Sequence, residues 1–320
     1  MAQIRMRRKA PPVTGNTSRR LRLGTRGSKL ALAQTEIAVA ALRFASPEQL
    51  EIEVVPITTK GDSVTDRPFE LIGPKGVFAA ELQRALLRDE IELAVHSLKD
   101  LPADEPEGLT IAAVCERSEP GDVLVSKDGS TLASLPPGAV VGTSSSRRRV
   151  LIAMIRPDLE TAPLRGNVDT RLAKVRRGEV DAAVLAAAGL VRLGLRDAIT
   201  EWLDPHAFVP PPGQGAIAIE ARMDRGDLAW VGRADHAATR VCVEAERTFM
   251  RIVEGGCEVP LGAWARMEGE EIVCEGFLAA ADGTASVRET ARGSDAADVG
   301  AELARRIVAA GGADLAQRAR

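Results

Sequence analysis

The chain has 320 residues, 45% hydrophobic and 27% charged, a composition that suits a globular protein of two or three domains. With a formal net charge of −3, 3% aromatic residues and no tyrosine, it offers neither the basic field that holds duplex nucleic acid nor the aromatic platform that stacks single strands. No apolar run approaches the ~20 residues that cross a bilayer, and Cys115, Cys242, Cys257 and Cys274 lie far apart beside only three histidines, so no metal site is expected.

The first twenty residues, MAQIRMRRKAPPVTGNTSRR, are basic, rich in Pro, Ser and Thr, and lack the apolar core of a secretory signal. They read as a mobile tail. An organellar transit peptide is the alternative, and the paired prolines argue against its amphipathic helix. Without an export signal the expected location is cytoplasmic, with the cysteines as free thiols.

Regular structure begins at LRLGTRGSKLALAQTEIAVAALRF. Alternating Leu21 and Leu23 predict a short strand, and Ser28 is placed to N-cap a helix with Leu30, Ala33, Ile37 and Ala41 inward. The tight G-T-x-x-S turn between them leaves a helix N-terminus whose unpaired N–H groups suit an anion. Gly61 to Gly76, with two prolines and three glycines, reads as a flexible lid.

The same grammar returns at AVVGTSSSRRRVLIAMI, where Gly142, Thr143 and Ser146 stand in the positions of Gly24, Thr25 and Ser28. A second echo follows each unit: DEIELAVHSLKDL from Asp89 aligns without gaps on GEVDAAVLAAAGL from Gly178, matching Glu92 with Asp181 and Leu101 with Leu190. Two echoes in one order predict two similar α/β domains, with ligand loops at the carboxyl ends of parallel strands facing each other across a cleft. The copies differ where chemistry would sit. The first ends His96-Ser97-Leu98-Lys99-Asp100, the second Leu185-Ala186-Ala187-Ala188-Gly189.

ERSEPGD, after Cys115, reads as a connection, and Phe208 to Gly215, FVPPPGQG, as a stiff proline linker ending in glycine. The strand AIAIEAR after it could return to the first sheet, giving a double crossing and a hinge. From about His236 a third region shows a helix, strand-like stretches around EIVCEGFLAA, and a closing helix ELARRIVAA. The expected fold class is α/β: two cleft-forming domains with a hinge, plus a small C-terminal α+β domain. The expected divisions are a tail at 1–20, domain 1 at 21–115 and 214–232, domain 2 at 116–213, and domain 3 at 236–320.

Between Thr143 and Arg192, nine arginines and one lysine stand against five acids, a local excess of +5 in an acidic chain. Arginine's planar fork pairs bidentately with carboxylate or phosphate, so irregularly spaced arginines suit a small molecule bearing many such groups. Arg176 and Arg177, in the helical run RLAKVRRGE beside Lys174 and Glu179, fit a solvated helix face instead. Arg165 does not, because LRGN reads as a strand end entering a turn.

The motifs LGTRGSKLALAQ, TTKGD, GPKGVFAAEL, AVHSLKDLP, VGTSSSRRR, LRGNVDTRL, GLVRLGL, PPGQGA and EGGCEVPLG occur in this order from about residue 21 to 265. Together they resemble the porphobilinogen deaminase, or hydroxymethylbilane synthase, family. The resemblance implies two domains like those of periplasmic solute-binding proteins and a third holding a cysteine-linked cofactor. It also implies a reaction in which four porphobilinogen units are deaminated and joined head to tail on a dipyrromethane primer, which stays behind when the linear tetrapyrrole leaves.

By this resemblance Cys257 in GGCEV carries the dipyrromethane through a thioether, and Asp100 in SLKDLP is the catalytic carboxylate. Asp100 would protonate the departing amine, stabilise the azafulvene cation and remove a proton from the newly joined ring. Lys99, Ser97, Thr143, Ser144, Ser145, Arg147 and Arg148 are expected around the cofactor. Arg26, Ser28, Gln34, Arg165, Arg171, Arg192 and Gln214 are expected on substrate and growing chain. Lys75 and Phe78 belong to the loop over the cleft, where Pro74 and Ala80 depart from the common family residues; Arg149 has no ligand counterpart. Each pyrrole carries an acetate and a propionate, so primer and four substrates bring about twelve carboxylates to one cleft, a polyanion that suits the arginines. A monomer acting on porphobilinogen, with no nucleic acid or membrane partner, is expected. Two other readings compete: a non-enzymatic anion sensor, which the state of Cys257 discriminates, and a cysteine hydrolase pairing Cys257 with His96, which has no local nucleophile signature.

Overall fold

Three sheets organise the chain, and the computed structural model describes residues 18–59, 79–254 and 260–318. The lid at Gly61 to Gly76 with Lys75, Phe78 and Pro74, and the GGCEV turn with Cys257, lie outside the described residues.

The first sheet has the order β2-β1-β3-β10-β4, with β1 (Arg19–Arg26), β2 (Leu50–Ile57), β3 (Leu93–Ser97), β4 (Leu109–Val114) and β10 (Ile217–Arg222). β1 is parallel to β2 and β3, and β10 is antiparallel to β3 and β4. Alternate residues of β3 serve opposite faces, as the strand period requires. Leu93 and Val95 join Leu21, Leu23 and Leu42 under helix α1 (Lys29–Ala45), and Ala94 joins Leu82, Leu86 and Ile91 under α2 (Ala80–Leu87). β1 starts at Arg19, so the last two residues of the expected tail are strand; Arg19 pairs with Asp227 and Arg20 with Glu53.

The second sheet has the order β7-β6-β8-β5-β9, built from β5 (Asp122–Ser126), β6 (Val140–Gly142), β7 (Glu160–Ala162), β8 (Ala182–Ala186) and β9 (Glu201–Trp202). Helices α3 (Ser146–Ile155), α4 (Val168–Arg176) and α5 (Ala187–Arg192) accompany it. Both sequence echoes have a physical basis. The pairs Leu23↔Leu93 and Gly24↔Ala94 are repeated as Val141↔Ala182 and Gly142↔Ala183. The aligned acids do the same work, since the Glu92 carboxylate accepts from the Arg22 N–H at 2.6 Å and the Asp181 carboxylate from the Val140 N–H at 2.8 Å. Each satisfies a backbone donor of the neighbouring strand. The glycines of the two G-T turns are needed for space: a Cβ on Gly24 would lie 2.3 Å from Ile91, and one on Gly142 would lie 2.9 Å from Leu164.

Two local expectations are corrected. Ser28 caps α1 by accepting from the Ala31 N–H, but the buried face is Ala31, Gln34, Thr35, Ala38, Leu42 and Ala45, while Ile37 is exposed. The inward stripe was hidden because two of its members are polar; Thr35 bonds Thr25 at 2.8 Å and Gln34 bonds Ser97 at 2.8 Å. In the second copy the helix starts one residue earlier, so Ser145 rather than Ser146 is the cap.

The chain leaves the first sheet after β4, builds the second, and returns through Phe208 to Gly215 into β10, which lies between β3 and β4. The returning segment is packed: Phe208, Val209 and Gln214 are buried. Three consecutive prolines carry no N–H groups to satisfy, which lowers the cost of burying backbone there. The two crossings touch, with the Ser118 N–H donating to the Gly215 carbonyl at 3.0 Å; Gly215 has φ of 88°, and a Cβ there would meet the Ser118 carbonyl at 2.6 Å.

The third unit is an antiparallel meander of β11 (Leu261–Glu268), β12 (Glu271–Ala279) and β13 (Ser286–Gly293), covered by α6 (Ala237–Glu254) and α7 (Ala296–Ile307), with a terminal α8 (Ala313–Arg318). Phe249, Leu278 and Leu303 lie at its centre. Buried Glu246 of α6 ties this unit to both crossings, accepting from Arg117 at 2.6 Å and from the Gly213 N–H at 2.7 Å. No helix among the described residues is long and apolar enough to cross a membrane.

Candidate active site

A cleft of about 1020 Å³ separates the first two sheets at the carboxyl ends of β1, β3, β6 and β8. Its floor is set by the residues that follow β3. Leu98 turns into the apolar cluster of Leu101, Val114 and Ala216, and its N–H donates to the Ala216 carbonyl at 3.1 Å. Leu101 is extended at ψ of 142°, the conformation a following proline favours, which ends the single 3₁₀ turn Leu98–Asp100. Anchored on both sides, Lys99 and Asp100 line the cleft.

A polar chain crosses the hinge from this turn. Lys99 Nζ donates to Gln214 Oε1 at 3.2 Å, Gln214 Nε2 donates to Asp122 Oδ1 at 2.9 Å, and Asp122 accepts from Arg148 Nη2 at 2.7 Å and from Arg147 Nη2 at 2.6 Å. Gln214 and Asp122 have no solvent exposure. Burial alone would raise the Asp122 pKa, but the charges and hydrogen bonds of Arg147 and Arg148 outweigh it and hold the carboxylate well below its ordinary range. Arg147 is pulled down by burial and supported by Asp122; its ordinary value is so high that it stays charged. The Lys99 ammonium retains access to solvent at the cleft, yet protein encloses it on the other sides. Desolvation, with a smaller contribution from Arg148 and Arg171, lowers its pKa to about 8 against the favourable charges of Asp100 and Asp122.

The opposite wall is cationic. Arg148 comes from α3, Arg165 precedes α4, Arg171 lies on α4, and Arg192 ends α5. Arg171 donates to the Gly166 carbonyl at 2.8 Å; burial first, then Arg148 and Arg165, lower its pKa to about 10. Arg192 donates to the Gly215 carbonyl at 2.6 Å, and burial lowers it likewise to about 10. Buried Nε groups of Arg148 and Arg192 find no acceptor among the described residues. Clustered guanidinium groups, with buried N–H groups unanswered among the described residues, suit an anion that is not part of the protein.

Most of the expected site residues meet here. Arg26, Ser28, Gln34, Ser97, Ser144, Ser145 and Gln214 line the same cleft, although Ser28 and Ser145 spend their hydroxyls on helix caps and Gln34 and Ser97 bond each other. Thr143 and Arg147 are buried and are not among the residues that line the described cleft. The Thr143 hydroxyl accepts from the Ser145 N–H at 3.2 Å, shaping the turn, and Arg147 gives its other nitrogen to the Val209 carbonyl at 2.6 Å. Arg149 and Arg176 are exposed, and Arg177 pairs with Glu179 at the surface. His96 lies 3.0 Å from Glu220, buried with it, and Gln83 donates to the same carboxylate at 3.0 Å.

Two functional residues escaped the sequence. Asp122 opens an apolar strand directly after the ERSEPG connection, and an acid leading a buried strand is the signal that could have found it. Lys174 lines the cleft with Arg171, three residues away on α4, rather than sharing the solvated face of Arg176 and Arg177. The i, i+3 spacing was legible.

Two α/β units joined by a double crossing, with Asp100 facing a wall of guanidinium groups among the described residues, define a cleft protein suited to a polyanion. The comparisons with known proteins make that class particular. Residues 21–229 match the family model "Porphobilinogen deaminase, dipyromethane cofactor binding domain", and residues 240–309 match the model of the porphobilinogen deaminase C-terminal domain. The chain therefore belongs to the porphobilinogen deaminase family. It is 48% identical over 92% of its length to a porphobilinogen deaminase of Roseiflexus sp. (strain RS-1), covering 97% of that protein. It is 46% identical over 94% of its length to one from Pelotomaculum thermopropionicum, again covering 97%. Among solved structures, the methionine binding protein MetQ aligns with 67% of this chain and 88% of that one, at a TM-score of 0.42 and 13% identity, too distant to carry weight.

The residues present fit the family's dipyrromethane. Its four carboxylates need cationic donors in one enclosed place, and Lys99 and Arg148 both line this cleft, with the Arg148 Nε unanswered among the described residues.

Proposed function

We propose that this protein catalyses the deamination of four porphobilinogen molecules and their head-to-tail joining, releasing hydroxymethylbilane and ammonia. Among the described residues lining the cleft, Asp100 is the single carboxylate amid the cations Arg26, Lys99, Arg148, Arg165, Arg171, Lys174 and Arg192; that contrast carries the reading. Family membership and the match of the cofactor-binding model support it.

In this reading the enzyme is a transferase. A dipyrromethane held by Cys257 as a thioether supplies the pyrrole terminus on which the product is built. Lys99, Arg148, Ser144 and Ser145 hold its carboxylates. Arg26, Arg165, Arg171 and Arg192 bind and orient those of the substrate, so a bimolecular encounter becomes an aligned one. Asp100 gives a proton to the departing amine, faces the positive charge that develops on the pyrrole ring, and takes the proton released when two rings join. Lys99 beside it, tied through Gln214 to Asp122, keeps the carboxylate in register with the opposite wall. The reading further assigns residues 21–115 with 214–232 to the domain bearing Asp100, 116–213 to the arginine-rich domain, and 236–320 to the domain bearing Cys257. It describes a cytoplasmic monomer with no nucleic acid or membrane partner.

Intact-mass measurement tests the attachment. Protein from cofactor-replete cells is expected to carry an adduct of two pyrrole units, and Cys257→Ser is expected to lack it and to form no tetrapyrrole from porphobilinogen. An unmodified wild-type Cys257 that reacts with iodoacetamide would instead favour an anion sensor, the reading that shares this cleft but not its chemistry.

A further inference from the structure

We infer that Lys174 is a further carboxylate-binding residue of the cleft, extending the cationic track past Arg171 and holding the earlier-joined units of the growing pyrrole chain while later ones are added. The inference rests on the function proposed above, and its starting point is a mismatch of charge. About twelve carboxylates must be accommodated. Arg147, expected to take some of them, is committed to Asp122 and the Val209 carbonyl. Lys174 stands where an additional cation is wanted.

Its position follows from α4. Arg171 and Lys174 are three residues apart, so they share one helix face about 4.5 Å apart along the axis. Both line the cleft, whereas Arg176 and Arg177 of the same run are exposed. The Lys174 ammonium makes no hydrogen bond or ion pair among the described residues, and nearby acids are engaged elsewhere: Asp169 with Lys29 at 2.8 Å, Glu179 with Arg177 at 2.7 Å. A half-buried ammonium on the cleft-facing side of α4, with no acceptor among the described residues, is placed to receive an anionic group of a ligand.

The neighbours indicate which part of the chain it holds. Lys99 and Arg171 are close enough to Asp100 for its charge to favour their protonated forms, so they surround the reacting centre. Lys174 lies a helical turn further on, where earlier-joined units must move as new ones arrive. A lysine suits a moving ligand, because its compact ammonium donates in any of three rotating directions and follows the carboxylate, whereas an arginine fork fixes one.

The test feeds limiting porphobilinogen to cofactor-loaded wild type, Lys174→Gln, Lys174→Arg and Arg176→Gln, and reads the number of enzyme-bound pyrrole units by intact mass over time. All four are expected to show the primer. Lys174→Gln is expected to accumulate shorter bound chains, with later additions slowed about tenfold, the loss typical of one charge-assisted hydrogen bond. Lys174→Arg is expected to recover most of the rate, and Arg176→Gln to match wild type. A Lys174→Gln distribution indistinguishable from wild type overturns the inference while leaving the proposed function standing. Failure of wild type to add any pyrrole unit overturns both.

Discussion

Asp100→Asn is expected to keep the two-pyrrole adduct and lower kcat by about 10²- to 10⁴-fold, the range lost with a general acid–base group. The substitution preserves size and hydrogen-bonding reach, so the turn from Leu98 to Leu101, held by the Ala216 carbonyl and the apolar cluster around Leu98, should be undisturbed. What disappears is the one carboxylate in the described cleft lining, and with it the group that both carries protons and opposes cationic charge on the ring. The charged side chains left in the described lining are then all cationic and attract the carboxylates of porphobilinogen more strongly, so KM is expected to hold or fall. That split separates chemistry from binding: a carboxylate used only to position substrate would raise KM with kcat little changed. Turnover near that of wild type would remove Asp100 from its role.

Much of this architecture was legible because the sequence repeats itself for physical reasons. Gly24 and Gly142 recur where a Cβ would press on buried side chains, and Glu92 and Asp181 recur because each satisfies a strand N–H. Apolar patterning carried less. The buried face of α1 includes Gln34 and Thr35, so a search for hydrophobic residues at helical spacing picked the neighbouring stripe and placed exposed Ile37 inside. Prolines in series suggested a stiff linker but left its burial open; residues without N–H groups are suited to burial, and Phe208 and Val209 are in the core. At the site, the arginine excess identified the ligand class but not the function of each arginine. Arg147 and Arg148 are adjacent in sequence, and helical geometry turns one into the interior and the other to the cleft. Their shared partner, Asp122, is distant in sequence and carries no motif of its own; its importance emerges only when the hinge brings Gln214 against it.

Asp122→Asn is expected to destabilise the arginine-rich domain by about 3–5 kcal/mol at neutral pH, the cost of breaking a buried ion pair by removing one partner. Arg147 and Arg148 would both be left inside with no carboxylate, Gln214 would face an amide, and the chain from Lys99 across the hinge would be interrupted. Each unit carries one tryptophan, Trp230 in the first, Trp202 in the second and Trp264 in the third, so denaturant unfolding of a Trp230→Phe, Trp264→Phe background reads the second domain through Trp202 alone. The midpoint is expected to drop there first. The pH dependence supplies a second signature. The folded Asp122 pKa lies below the unfolded value, near 3.9, so its stabilisation is complete above that value and drains away as pH falls through it toward the folded pKa. Wild type should therefore lose stability in this domain progressively below about pH 4–5, and the asparagine variant, already destabilised, should lose this part of the acid slope. Equal midpoints at pH 7 would mean that the two arginines find other partners and that the buried triad is not what joins the arginine wall to the hinge. Because Arg148 also lines the cleft and is proposed to hold the cofactor, the variant is expected to carry less adduct even where it remains folded: the carboxylate that stabilises the domain also fixes Arg148 at the cleft.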